Sequence, residues 1–194
     1  MRKLALLAPV LAVLFSCHFA AAQQGDIAFG GGTLMSSSSC SLATFVCPEK
    51  GGFYPTVSAD VIFHKRVGFD FESTWKGSQG SYYGQPFRPI LFGFNGMYQP
   101  RLGKKVGLDL VGGIGWQSTR FYLPYCTNGF TCSNYTSNNH FLVDVGGGIR
   151  YYVWNHVFVR PEVRFYHIMN NTDVFSSDNV FRVGASIGYT IGPD

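Results

Sequence analysis

The sequence predicts an all-β chain, an eight-stranded antiparallel up-and-down transmembrane β-barrel, and three observations carry that prediction. Eight stretches alternate apolar with polar or glycine residues at a period of two, the signature of strands with two unlike faces. The segments that join them are alternately short and long, as in a meander whose longer loops share one end. The composition is 46% hydrophobic and 13% charged, with 24 Gly, 18 Phe and 11 Tyr, which favours sheet and tight turns. Such a chain has ample apolar surface to bury and lacks the bias of a coiled coil, so disorder and long helices are excluded. The net charge of +4 is small and spread out, so nucleic acid is not an indicated partner.

The N-terminal segment reads as an export address. Met1-Arg2-Lys3 is a basic lead, Leu4 to Phe15 an apolar run of 12 residues, and Ala20-Ala21-Ala22 a small-residue cleavage site before Gln23. The run is too short to span a bilayer as a helix. Residues 1–22 are therefore expected to be a signal peptide, and 23–194 the barrel domain. Leu14-Phe15-Ser16-Cys17 offers a lipoprotein site as the rival, and the bulky Phe15 suits it poorly.

The first strand is expected over about Asp26 to Met35, where Gly30-Gly31-Gly32 are strand glycines and open no helix, so they are not a phosphate loop. A long join, Ser36 to Tyr54, leads to a second strand over Pro55 to His64. After the turn His64-Lys65-Arg66, Val67 to Trp75 sets Val67, Phe69, Phe71 and Trp75 against Gly68, Asp70, Glu72 and Thr74. Lys76 to Pro86 is the second long join, and Phe87 to Tyr98 the fourth strand. Past the turn Pro100 to Lys105, Val106 to Gln117 opposes Leu108, Leu110, Ile114 and Trp116 to Gly107, Asp109, Gly113 and Gly115. Ser118 to Asn139 is the third long join. Phe141 to Tyr152 places Val143, Val145 and Ile149 opposite Asp144, Gly148 and Arg150. The turn Val153 to His156 precedes the strand Val157 to His167, and Met169 to Asn179 precedes the last, Phe181 to Ile191.

Composition separates the two faces of the strands. Across the four strongest strands the apolar face has 23 positions and no charge, while the other has 21, eight of them Gly and six charged. A lumen of eight strands is just wide enough to be filled by side chains. Glycines with a few long charged residues fill it; a wall of large apolar residues does not. The apolar face is therefore expected to meet lipid. Trp75, Trp116, Phe121 and Tyr122 towards the long loops, and Tyr98, Trp154 and Tyr189 towards the turns, would form its two aromatic girdles.

By the same alternation Asp60, Asp70, Glu72, Asp109, Asp144 and Glu162 face inward with Arg150, Arg160, Arg164 and Arg182. Unpaired charges in so narrow a space are expensive, so these are expected to pair and plug the barrel. The alternative is a narrow ion-selective pore in which the pairs switch.

Four cysteines follow the export segment: Cys40, Cys47, Cys126 and Cys132. An even count in an exported chain suggests disulfides, with three connectivities open. Spacing favours local pairs, Cys40 with Cys47 and Cys126 with Cys132. A zinc site would need all four thiolates to converge from two distant loops. No cofactor or metal is expected.

The last strand carries the most specific resemblance. Arg182-Val183-Gly184-Ala185-Ser186-Ile187-Gly188-Tyr189 resembles the polar-x-Gly-x-x-apolar-x-apolar signal read by the barrel assembly machinery, through Arg182, Gly184, Ile187 and Tyr189. With the eight strands and the export segment, the chain is similar throughout its mature length to small outer-membrane barrels of the OmpA/OmpX type. It departs from them in ending Gly192-Pro193-Asp194, where many members stop on an aromatic, and in having no C-terminal periplasmic domain. The resemblance implies a monomer in the bacterial outer membrane, in contact with outer-membrane lipid and lipopolysaccharide. It implies insertion from the periplasm after signal cleavage, with the short turns on the periplasmic side.

Some small outer-membrane barrels are lipid A hydrolases with a His-x-Ser-Asn motif. His167-Ile168-Met169-Asn170 resembles it, but Met169 stands where the nucleophile is needed, and a thioether cannot do that work. Asp173, Asp178, Ser176 and Ser177 follow no catalytic spacing, so no enzyme is expected. Lys65-Arg66 and Arg101, Lys104, Lys105 make two basic turns, suited either to anionic lipid or peptidoglycan or simply to solvent.

Overall fold

A computed structural model describes residues 24–40, 47–63, 66–82, 85–122, 125–127 and 131–192. The export segment lies outside these residues. The strands are β1 (Gln24–Met35), β2 (Tyr54–Ile62), β3 (Val67–Trp75), β4 (Gly80–Tyr82), β5 (Gln85–Tyr98), β6 (Val106–Phe121), β7 (Tyr125–Thr127), β8 (Thr131–Ser133), β9 (Thr136–Tyr152), β10 (Val157–Ile168) and β11 (Asn179–Ile191). The eight long ones pair in sequence, each antiparallel to the next, and β1 pairs with β11 from Gly25↔Ile191 to Met35↔Phe181. That last ladder closes the sheet into a barrel and leaves no edge.

The alternation decides which way each residue points. On β10, Phe158, Arg160, Glu162, Arg164, Tyr166 and Ile168 are buried, while Val159 and Val163 are exposed. Phe29, Phe71, Val145, Ile149 and Ile187 likewise stand on the outside, each at least half exposed. The interior is layered. Ile62, Met97 and Val111 form a small apolar cluster on the side of the short turns, and Leu34, Tyr54, Leu91, Leu142, Tyr166, Ile168 and Val180 a larger one towards the long loops. The charged residues lie between them. Gly188 illustrates why the lumen needs glycine: a Cβ there would stand 2.2 Å from Cζ of the Phe158 ring, which lies across the gap.

Three expectations are corrected. First, β6 and β9 run several residues further towards the long loops, pairing as far as Phe121↔Thr136. The apolar alternation fades after Gln117 because the outward positions there, Ser118 and Arg120, are polar, yet the hydrogen-bond ladder continues. Second, Phe121 does not join the outer girdle. It points inward, 8% exposed, and packs with Phe87 and Phe175 at the mouth of the barrel. Third, the long joins hold structure of their own, with β4 folding onto β5 from Gly80↔Phe87 to Tyr82↔Gln85, and β7 pairing with β8.

Candidate functional site in the barrel lumen

The lumen charges are sorted by strand. Asp26, Asp60 and Asp70 are direct partners in register across β1, β2 and β3, with Glu72 two positions further along β3. Like charges placed opposite one another on a sheet repel. The four arginines come from the other end of the chain, Arg150 on β9, Arg160 and Arg164 on β10 and Arg182 on β11, and Arg164 and Arg182 are themselves register partners. The acidic wall of β1 to β3 repels itself and attracts the arginines, whose own wall also carries two carboxylates, Asp144 on β9 and Glu162 on β10.

Two clusters result. In the one nearer the short turns, Arg150 holds Asp26, Asp60 (3.2 Å) and Asp109 (3.0 Å), and its guanidinium lies 4.0 Å from the centre of the Phe158 ring. Arg160 reaches the same Asp60 (3.2 Å) and Asp109 (3.3 Å) and donates to Ser58 (2.9 Å). In the second, Arg164 pairs with Asp70 (2.8 Å), Glu72 (3.2 Å) and Asp144 (3.2 Å), and Arg182 pairs with Glu72 (2.7 Å). Glu162 links the two, at 3.0 Å from Arg160 and 2.7 Å from Arg182. Neutral donors finish the second cluster, Asn95 to Asp70 at 2.8 Å and the Tyr166 hydroxyl to Glu72 at 3.0 Å. Arginine suits this work because its planar fork engages several carboxylates at once.

All ten residues marked out by the alternation are buried here. Asp26 escaped it because it opens the first strand, where few residues set the phase. With Asp26, seven carboxylates meet four guanidiniums, a formal excess of three negative charges. A void of about 10 Å³ among them, bordered by Asp109, Arg160, Glu162 and Arg164, is roughly enough for one water. Among the described residues no His, Cys, Asp and Glu group is arranged to hold a metal.

A second set closes the mouth at the long-loop end. The segment after the Cys40–Cys47 disulfide turns back through Gly51 and Gly52, both with positive φ (71° and 88°), a conformation that favours glycine. Backbone bonds fasten it on three sides: Gly51 N–H to the Leu34 carbonyl (2.8 Å), Gly77 N–H to Phe53 (2.8 Å) and Ser176 N–H to Cys47 (3.1 Å). This drops Glu49 into the barrel, 1% exposed, where it accepts hydrogen bonds from Gln117 and from the Tyr54 hydroxyl (3.4 Å). Lys76 donates to the Gly51 carbonyl (3.1 Å) and lies over the Tyr54 and Phe87 rings. Sequence reading missed Glu49, since no periodicity marks a loop residue as inward. Cys126 and Cys132 are register partners on β7 and β8, but their side chains lie outside the described residues.

Burial pushes the Glu49 carboxyl up from its ordinary 4.5 to about 7, against the opposing pull of Gln117, Lys76 and Tyr54. A raised acid binds its proton more tightly when docked. Docking is therefore strongest below about pH 4.5 and weakens as pH rises through about 7, by about 3 kcal/mol in all. Hydrogen-exchange protection of the Gly51 amide should fall over that interval in the native chain. In Glu49→Gln it should stay flat and high; a pH dependence unchanged by that substitution would assign it to another group.

His167, the one histidine on a family-like motif, is exposed, with Nδ1 2.8 Å from Asn179 Oδ1. Met169 is exposed, and Ser177 is buried with its hydroxyl donating to the Asn179 carbonyl at 3.1 Å. No acid–base–nucleophile arrangement forms there among the described residues.

No family model and no curated protein matches the chain. Solved structures do. Neisserial surface protein A superposes with a TM-score of 0.62 at 17% identity, over 87% of this chain and 97% of that one. The N-terminal β-barrel domain of Pseudomonas aeruginosa OprF gives 0.59 at 10% identity, over 88% and 99%. Ail, the attachment invasion locus protein of Yersinia pestis, solved with the heparin analogue sucrose octasulfate, gives 0.56 at 12%, over 87% and 98%. At such identities the likeness is one of architecture, and in architecture this chain is a small eight-stranded barrel of the outer-membrane type.

Proposed function

We propose that the protein is an integral barrel of a bacterial outer membrane with a structural or surface-contact role and no catalysis. The observation that carries this is the inversion of the fold. Large apolar side chains cover the outside, while the ion pairs and their polar partners fill the inside. In water such an exterior would be a liability; in lipid it is what a spanning strand needs. Residues 1–22 serve as the export signal in this reading, and the assembly machinery recognises Arg182, Gly184, Ile187 and Tyr189 on β11. Arg182 then has two tasks, since its guanidinium also pairs with Glu72 and Glu162 in the lumen.

The lumen serves as a plug. Apolar clusters lie on both sides of the ion pairs, and Glu49 with its loop covers one end. The excess of carboxylates favours a narrow cation path as the second reading. Two measurements separate these. Boiled and unboiled detergent extracts should migrate differently on a gel, and equal migration with recovery in the soluble fraction would overturn the membrane reading. In planar bilayers the plugged barrel should give no discrete steps; steady unitary conductance, altered by Arg160→Ala, would establish the pore instead.

A further inference from the structure

We propose that the short-turn rim holds a binding groove for the phosphate headgroup of an anionic phospholipid. The inference rests on the membrane reading given above and deepens it. The groove, about 210 Å³, lies between the turn after β5 and the turn after β9, and is lined by Arg101, Lys104, Lys105, Tyr152, Trp154 and Asn155. The three cations are exposed, and none of the ion pairs among the described residues involves them. None of the residues from Gln99 to Lys105 or from Val153 to His156 is acidic.

The backbone that carries these side chains is held in place. Leu102 and Gly103 both donate to the Val106 carbonyl (2.9 and 3.1 Å), and Val153 and Trp154 both donate to Val157 (2.9 and 3.3 Å). Neighbouring turns are tied together, Gln99 N–H to the Arg66 carbonyl and Tyr152 N–H to the Lys105 carbonyl, each at 2.9 Å. Positive charges carried on a held backbone, with no carboxylate among the described residues of the two turns, suit a phosphate, which accepts from several donors at once.

The surroundings choose between lipid and cell wall. Trp154 is 69% exposed and Leu102 65%, and Tyr98, Tyr151 and Tyr189 ring the adjacent ends of the outward face. An amphipathic tryptophan and a free leucine at the end of an apolar band belong at the boundary between headgroups and acyl chains. A ligand reaching both the cations and this apolar margin carries a phosphate and a hydrocarbon tail. A glycan would leave Trp154 and Leu102 in water.

The test uses the full mature chain with Trp75→Phe and Trp116→Phe, so that Trp154 is the sole reporter. It is folded into phosphatidylcholine vesicles that contain a minor share of brominated phosphatidylglycerol or, in parallel, brominated phosphatidylcholine. Quenching should favour the anionic lipid, and the preference should fall about fivefold for each cation removed among Arg101→Gln, Lys104→Gln and Lys105→Gln. Added salt should weaken it. Equal quenching by the two lipids, or a preference that survives the triple substitution, would overturn the proposal. So would a Trp154 emission shift with soluble peptidoglycan fragments in zwitterionic micelles and no lipid preference, which would give the groove to the cell wall. The same samples are run boiled and unboiled. A heat shift without lipid preference removes only the groove, whereas no shift removes the membrane reading and the groove together.

Discussion

Arg150→Ala is expected to destabilise the barrel by about 3–5 kcal/mol, the usual loss when one partner of a buried ion pair is removed. Arg150 stands among Asp26, Asp60 and Asp109, and its side chain is fully buried. Its removal leaves Asp26 and Asp60 opposed across β1 and β2 with no cation between them, and Arg160 alone reaches the second of these. The loss of the Phe158 ring as a neighbour of the guanidinium adds to the effect. Lysine at this position would keep the charge and lose the fork, so Arg150→Lys should recover only part of the stability. Urea titration of the barrel in vesicles reads both. The double variant Arg150→Ala/Asp60→Asn should be less damaged than the sum of its parts, because the carboxylate left stranded by the first change is neutralised by the second. A loss below about 1 kcal/mol for Arg150→Ala would mean that the cluster is hydrated and contributes little.

The second large effect concerns a residue that looks harmless by exposure. Val163 sits near the middle of β10, 49% exposed, between Gly147 on β9 and Val183 on β11. On a soluble protein an arginine there would reach into water, and the change would be nearly neutral. With the apolar face in lipid, Val163→Arg should cost about 2–4 kcal/mol, since the strand centre lies near the bilayer midplane. Trp154→Arg, in the turn beyond β9, should be far milder because that position meets headgroups and water. Urea titrations of both variants in vesicles supply the comparison. Equal and small losses at the two positions would show that no hydrocarbon surrounds the barrel.

Most of the strands and their facing were legible in the sequence, because a sheet with lipid on one side and a packed lumen on the other leaves a two-residue pattern. The alternation carried Asp60, Asp70, Glu72 and the four arginines to the inside without any knowledge of their partners. What it could not supply was pairing across the lumen: Arg150 and Asp26 are far apart in sequence and meet only because β1 closes on β11. Phe121 was misplaced although its parity was readable. Counting by twos from the inward Gln117 passes Thr119 and arrives at Phe121, but its place among the aromatics near the strand ends set it in the outer girdle. Glu49 had no such signal. Its position depends on backbone bonds to Leu34 and Ser176, on strands and loops that sequence alone does not bring together.

The segregation of acid and base along the chain also bears on how the fold can arise. Asp26, Asp60, Asp70, Glu72 and Asp109 all precede the first lumen arginine, Arg150, in chain order. Among its lumen charges a partial sheet that stops at β6 therefore assembles carboxylates alone, and no lumen guanidinium is present to relieve their repulsion. Stability arrives with the final three strands, the same ones that complete the hydrogen-bond circuit through β1. The two gains come together, so half-built barrels are disfavoured twice over and folding is pressed towards an all-or-none event. The charge order thereby acts as a checkpoint on completeness: only a chain that has delivered its C-terminal strands can neutralise the N-terminal ones.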